Sequence, residues 1–489
     1  AAAEKQLLQK QDSVIAAIER VVLGGEKLAV RYQFTYLTNS FSIETEFENL
    51  EKIAMMDGVK SVFVMPVYHP ATVQNGTVTP SATASGEMVG VPSVWQDLGY
   101  TGSGMKIAVL DTGLDLDHPS FATAPAADVN SLTVGDIAAV LEDLNAYDRM
   151  GGNVTAEDLY NSEKVPFVFN YADSNLTGDH SRDNQGDHGT HVSGIAAANA
   201  NVEGTDVVGM APDAQLIVMQ VFQSGGGANW ATIMAALEDC IRLDVDAANL
   251  SLGAAAGFTD PAGDMLDTMN LFLESEIQVI IASGNDTNNA FMNLWGMDMS
   301  LIENPDIGLT GTPATYSSAL TVASANNNGD VMLYFTVDGT EHGFQDTATT
   351  ADTMFIQNFR NQTLEYVMVP GIGAEEDYEG IDVTGKIAVI SRGTTSFPEK
   401  QALAQEKGAI GCVIYNNTSG MFLMQINDGN GAIPCVSISQ AAGQALAAAE
   451  TKTLTVCNAD SKVFKVDTTM SSFSSWGVTP DLKLKPEIT

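Results

Sequence analysis

The chain has 489 residues, 45% of them hydrophobic and 17% charged, with 22 Lys and Arg against 61 Asp and Glu and a formal net charge of −39. That length exceeds what one compact core accommodates and points to two to four globular domains. So negative a surface repels phosphates and anionic membranes, which excludes nucleic acid and membrane surfaces as main partners, and it can attract cations such as calcium.

No apolar run approaches the length of a membrane span, and the opening Ala1-Ala2-Ala3-Glu4-Lys5-Gln6 lacks the charged-then-apolar pattern of a secretory signal. The four cysteines, Cys240, Cys412, Cys435 and Cys457, form no CxxC spacing, so a zinc site is not expected. The last three could include one disulfide, whose pairing is not deducible from spacing; buried free thiols are the expected state.

From the start of the chain, Leu7, Leu8, Val14, Ile15, Ile18, Val21 and Val22 recur at helical spacing over Lys5–Val22, and Gly24-Gly25 closes that helix. Lys27–Phe47 alternates like two strands around Thr38-Asn39-Ser40. Glu48–Met56 reads as a short helix stopped at Asp57-Gly58, and Val59–Tyr68 as a strand. Residues 1–70 thus form a small α+β unit. Residues 71–90, rich in Thr, Ser, Ala, Gly and Pro, have the composition of an exposed linker open to proteolysis. Apolar runs then follow at Met105–Leu110, Leu216–Val221, Ala247–Leu252, Val279–Ala282 and Ala319–Ala323. Helical stretches lie between them at His191–Asn199, Trp230–Ile241 and Pro261–Glu274. Strands buried on both faces and alternating with helices predict an α/β fold with a parallel sheet, over residues 91–326. From 327 to 465 the pattern turns to short β-like segments (Val331–Val337, Leu364–Val369, Lys386–Ser391, Gly411–Tyr415, Thr453–Val456) with one helix at Glu399–Lys407, a β-rich insert. Residues 466–489 return to a turn-rich pattern.

Three polar residues stand where the predicted strands and helices meet. Asp111 ends the first buried strand, in I-A-V-L-D-T-G, at the carboxyl edge of a parallel sheet where ligand and catalytic sites gather. His188 opens a helix, in D-H-G-T-H-V-S-G, and would face the same edge; a buried carboxylate on Nδ1 fixes the tautomer an imidazole needs as a base. His191, one turn on, reads as structural with its ring directed inward. His188 and His191 as metal ligands would need an intervening Glu, but Gly189 and Thr190 stand there, so no metal is assigned. Asn285, in I-A-S-G-N-D, follows a buried strand and can donate its side-chain amide to a developing oxyanion. Base, orienting acid and oxyanion donor together describe acyl-transfer chemistry without its nucleophile.

These stretches, in their order along the chain, resemble the subtilisin-like serine proteases (subtilases). The likeness is carried by Y-T-G-S-G-M-K-I-A-V-L-D-T-G-L-D-L-D-H-P, D-H-G-T-H-V-S-G-I-A-A, V-G-M-A-P-D-A-Q-L-I-V-M-Q-V-F, N-L-S-L-G, I-A-S-G-N-D and G-T-P-A-T-Y-S-S-A-L-T-V-A-S-A. It extends to S-S-F-S-S-W-G-V-T-P-D-L-K-L-K-P-E-I-T, the run that precedes the family's serine block. The resemblance implies a parallel-sheet, three-layer catalytic domain. In it Asp111 orients and stabilises the imidazolium, His188 is general base and then general acid, and Asn285 is the oxyanion donor. Ser251, Leu252 and Gly253 would pair with a peptide substrate as an added strand. Ala282, Ser283 and Gly284 would line the opposite side of the first specificity pocket. Residues 1–70 look like a ferredoxin-like inhibitory propeptide acting on its own chain, with processing between Tyr68 and Gly90. The run G-K-I-A-V-I-S-R-G-T-T-S-F-P-E-K-Q-A-L-A-Q-E-K-G-A-I-G-C-V-I-Y-N-N resembles a protease-associated domain, inserted as in lactocepin-like cell-envelope proteinases.

No G-T-S-type serine block follows Asn285. In the family that serine opens a central core helix, so its absence reads as a fragment of a longer product whose nucleophile lies beyond Thr489. The implied protein is a serine endopeptidase precursor acting on protein or peptide substrates. It would be extracellular or cell-wall-associated in a Gram-positive bacterium, with no cofactor required and calcium as a structural ion through acidic loops such as Asp179–Asp187. The alternative from another class is a non-catalytic pseudoprotease that binds peptides or proteins.

Overall fold

In the computed structural model the described residues are 2–70, 82–176, 187–199, 208–223, 226–255, 257, 264–286, 309–327, 329–427, 429, 431–465, 470–471 and 473–489. The linker expected at 71–90 and the acidic loop Asp179–Asp187 fall largely outside them. The chain forms two compact units, one of residues 1–77, 90–325 and 470–489, the other of residues 78–89 and 326–469. Part of the expected linker therefore belongs to the second unit, where Ala82–Met88 is a helix.

The first unit opens with the helix Ala2–Val21, the hairpin of β1 (Ala29–Phe34) and β2 (Ser40–Glu44), and the short helix Leu50–Ala54. Of the strand expected over Val59–Tyr68 only Val67 and Tyr68 are paired, as the first half of β3 (Val67–Pro70). The β-branched Val59 and Val62 pack on the Ile18, Leu28 and Ile53 cluster instead of joining the hairpin. The sheet here is thus two-stranded, short of the ferredoxin-like arrangement.

Next come β4 (Lys106–Asp111), β5 (Phe167–Asn170), β6 (Gln215–Gln220), β7 (Ala228–Asn229), β8 (Ala247–Leu250), β9 (Leu252–Gly253), β10 (Gln278–Ala282) and β11 (Ala319–Val322). Six of them build one sheet in the order β11-β10-β8-β4-β6-β5, every pairing parallel. Parallel neighbours require crossover connections, here including the helices His188–Ala197, Trp230–Arg242 and Asp264–Phe272. β5 and β6 are buried throughout, which explains their apolar centres, Phe167–Phe169 and Leu216–Met219. With all strands running one way, Asp111, Leu250 and Ala282 end β4, β8 and β10 on one side of the sheet.

The Trp230–Arg242 helix is buried from Trp230 to Cys240 and starts at Asn229, whose side chain accepts from the Thr232 amide at 3.0 Å. It presents two acids inside the fold. Asp239 accepts from the backbone amides of Asn145 (2.8 Å) and Ala146 (3.0 Å) and from the Tyr171 hydroxyl (2.7 Å). Burial nevertheless pushes its pKa up to about 7.

The second unit holds β12 (Gly329–Val337), β13 (Thr340–Phe344), β14 (Thr363–Met368), β15 (Ile387–Ser391), β16 (Gly411–Tyr415), β17 (Cys435–Ile438) and β18 (Thr453–Lys465). They form a mixed sheet, β13-β12-β18-β14-β15-β16-β17, parallel from β14 to β17. The helices Phe397–Glu406, started by a Ser396–Glu399 capping box, and Gln440–Ala448 complete it.

A folded carboxyl titrating above its unfolded value favours the fold below pH about 4 and loses that contribution as pH rises toward 7. Asp239→Asn should therefore flatten the pH dependence of stability. Denaturant unfolding between pH 4 and 7 should show the wild type losing stability relative to the variant, by at most about 1.4 kcal/mol per pH unit for one proton.

Candidate active site

Asp111 is 1% exposed at the end of β4. Burying a carboxylate there is tolerable only with partners. Its Oδ1 accepts from the Thr112 amide at 2.7 Å and lies 2.8 Å from His188 Nδ1. Its Oδ2 is buried and has no partner among the described residues. With a carboxylate on Nδ1, the neutral imidazole carries its proton there and leaves Nε2 basic.

The contact is held by the start of the His188–Ala197 helix, which packs against β4. The Gly189 amide donates to Thr112 Oγ1 at 2.9 Å, and the Asp115 amide donates to Thr190 Oγ1 at 2.9 Å. Gly189 is required by space: a Cβ there would stand 2.2 Å from the Gly113 carbonyl oxygen and 3.2 Å from Asp111 Oδ1. Asp187, just before the helix, takes the left-handed conformation at φ 60°, which Asp tolerates better than most residues. The helix buries Gly189, Ser193 and Ala197, four residues apart on one stripe. His191 falls nearly opposite that stripe and is exposed, so its ring does not point into the protein as its position suggested. Among the described residues no group of three His, Cys, Asp or Glu could hold a metal ion.

Asn285 follows β10 on the same sheet edge. Its surroundings are fixed from far away in sequence: the Ser475 amide donates to the Gly284 carbonyl at 2.9 Å, and Ser475 Oγ accepts from the Asp286 amide at 3.1 Å and donates to the Asp286 carbonyl at 3.0 Å. Gly284 has φ +117°, and a Cβ on it would meet Ser475 Oγ at 2.7 Å. Ser283 is buried and donates to the Ser475 carbonyl at 3.1 Å, while Ala282 is half-buried as the last residue of β10.

β9, formed by Leu252-Gly253, pairs antiparallel with β3 of the N-terminal segment, His69 opposite Gly253 and Pro70 opposite Leu252. On its other side β3 pairs with β7, Val67 opposite Asn229 and Tyr68 opposite Ala228. Ser251, just before β9, accepts from Asn249 Nδ2 at 3.0 Å. Tyr68 is fully buried, its ring edge-on to Trp230 at 6.3 Å and its hydroxyl 3.5 Å from Met265 Sδ.

Residues 102–489 match the subtilase family, Peptidase S8. The chain is a subtilase. It is 31% identical over 99% of its length to the PI-type proteinase of Lactococcus lactis subsp. cremoris, of which it covers 25%. It is 27% identical over 94% of its length to the minor extracellular protease Vpr of Bacillus subtilis, covering 50% of that protein, and 29% identical over 80% of its length to the C5a peptidase of Streptococcus pyogenes, covering 32%. The chain thus spans a quarter to a half of the length of these relatives.

The subtilase sequence did not single out Thr112, Gly189 or Ser475. Thr112 and Gly189 flank residues that were recognised, and the exclusion of any side chain at Gly189 appears only in three dimensions. Ser475 is one serine of four in S-S-F-S-S, and no local signal marks it. Gly189→Ala should force the helix off β4, lower stability by at least about 2 kcal/mol and remove the Asp111–His188 contact. Calorimetric unfolding checks the first effect, and the nuclear magnetic resonance shift of the His188 Nδ1 proton the second.

Proposed function

We propose that this chain belongs to a subtilisin-like serine endopeptidase precursor, extracellular or cell-wall-associated, that cleaves peptide bonds in protein or peptide substrates through an acyl-enzyme. The nucleophile in this reading is a serine outside residues 1–489. The observation that carries it is the 2.8 Å contact of His188 Nδ1 with the buried Asp111 at the carboxyl edge of a parallel sheet.

The steps follow from that geometry. His188 Nε2 takes the proton of the attacking hydroxyl and later returns it to the leaving amine. Asp111 keeps the ring in the required tautomer and stabilises the imidazolium by charge. The Asn285 side-chain amide donates to the tetrahedral oxyanion, a contribution of about 3–4 kcal/mol at comparable sites. Ser251, Leu252 and Gly253 align the substrate backbone as a strand, and Ala282, Ser283 and Gly284 form a small, weakly polar wall for the side chain next to the cut. No step calls on a metal; calcium has no cluster of acidic ligands among the described residues.

Residues 1–70 act in this reading as an inhibitor on their own chain. Support comes from β3, which fills the strand position beside β9 that a substrate would take. The rest of the segment is anchored on the catalytic body. Tyr32 donates to the Tyr171 carbonyl at 2.7 Å beneath the Arg149 guanidinium, and the amides of Tyr36 and Leu37 donate to Glu238 at 3.1 and 2.8 Å.

In a full-length precursor His188→Ala should abolish self-processing, with a loss of at least about 10⁴-fold read as the rate at which the precursor band disappears; unchanged processing refutes the assigned base. Tyr68→Ala should weaken inhibition by the cleaved segment about 30-fold or more, measured as its inhibition constant against the processed enzyme.

A further inference from the structure

The second unit carries a pair of cysteines that the proposed chemistry does not use. Cys412 of β16 and Cys435 of β17 are direct partners in the parallel ladder. Their side chains share one face of the sheet, packed in the cluster of Ala388, Ile390 and Ile414, while Val413 and Val436 face the opposite cluster. Both residues are completely buried, and burial, with the neighbouring Cys412 thiol, pushes the Cys435 thiol well above its ordinary pKa. Neighbouring strands lie about 4.7–4.9 Å apart, inside the roughly 4.4–6.8 Å of Cα separation that a disulfide spans. Cys457 lies on β18, separated from β16 by β14 and β15 and on the opposite face, and Cys240 belongs to the other unit. Of the possible pairings, one alone satisfies the geometry.

We propose that Cys412 and Cys435 form a disulfide that staples β17 to β16 when the protein folds outside the cell. The extracellular setting rests on the functional reading above; the pairing does not. The structure shows the pair as thiols. Oxidation requires a small disulfide or a thiol–disulfide oxidoreductase as the electron acceptor. One deprotonated cysteine attacks the acceptor's disulfide and displaces a thiolate. The second cysteine, also deprotonated, then displaces the remaining half. Two protein thiols are oxidised, one acceptor disulfide is reduced, and the two protons end on its two thiols. Since neither sulfur is exposed in the folded unit, the bond forms before β17 docks and is afterwards shielded from soluble reductants. What it constrains is the segment 416–434, which has no strand or helix among its described residues; closing such a loop removes entropy mainly from the unfolded chain.

The test is a thiol count on the whole protein, folded with oxidised glutathione and then denatured in the presence of a maleimide. Of the four cysteines, two should take the label without reduction, Cys240 and Cys457, and all four after reduction. Peptide mapping should recover the Cys412 and Cys435 peptides linked. A phosphine reductant should leave the count at two when applied to folded protein and raise it only when added with denaturant. Four labels without reduction, or a link through Cys240 or Cys457, overturns the proposal. A protein carrying both Cys412→Ser and Cys435→Ser should give the same count with and without reductant. The count needs no peptidase activity, so a failure of the active-site reading and a failure of this pairing are separately visible.

Discussion

The hydrogen bond between the Asp111 carboxylate and the His188 imidazole is the constraint around which the first unit is arranged. The two residues are 77 positions apart. A carboxylate 1% exposed loses its hydration, and the Thr112 amide and the imidazole replace part of it. Their approach requires β4 in the middle of the parallel sheet, a helix starting at the sheet's carboxyl edge, and a residue without a side chain at Gly189. The sheet order, the small-residue stripe of the helix and the Thr112–Gly189 hydrogen bond all serve this one distance.

The same unit shows how a separate N-terminal segment is fastened to such a body. Tyr32, Phe34, Leu37 and Tyr68 belong to the same buried cluster as Trp230 and the sheet strands. Polar anchors fix orientation at the margin. Glu238 is held above the usual carboxylate range by burial, partly offset by the amides it accepts from Tyr36 and Leu37 and by Asn145. Arg242 pairs with Glu4 at 3.1 Å and stacks over Tyr36. Apolar burial supplies the bulk of the association and the hydrogen bonds fix its register.

Much of this was legible in the sequence where physical periodicity is strong. The buried strands ending at Asp111 and Ala282 announce themselves as largely apolar runs, and the Trp230 helix by its spacing. Asp111 and His188 are each weak signals alone; their motifs, in order, made the pairing readable. What stayed hidden depends on contacts distant in the chain. His191 looked like a core residue, but the face buried by Gly189, Ser193 and Ala197 turns it to solvent. Val59 and Val62 have strand composition and are used for packing instead. Ser475, which secures the backbone on both sides of Asn285, carries no mark among its neighbouring serines. β5 and β17 fall in none of the apolar runs picked out along the chain.

The position of β3 between β7 and β9 has a further consequence. A backbone lying there must turn one edge to β7 and the other to β9, so it can be neither coiled into a helix nor already engaged in a sheet of its own. The slot is therefore a conformational filter. A helix, or a strand already paired along both edges, cannot occupy it whatever its side chains, whereas an extended stretch with both edges free can.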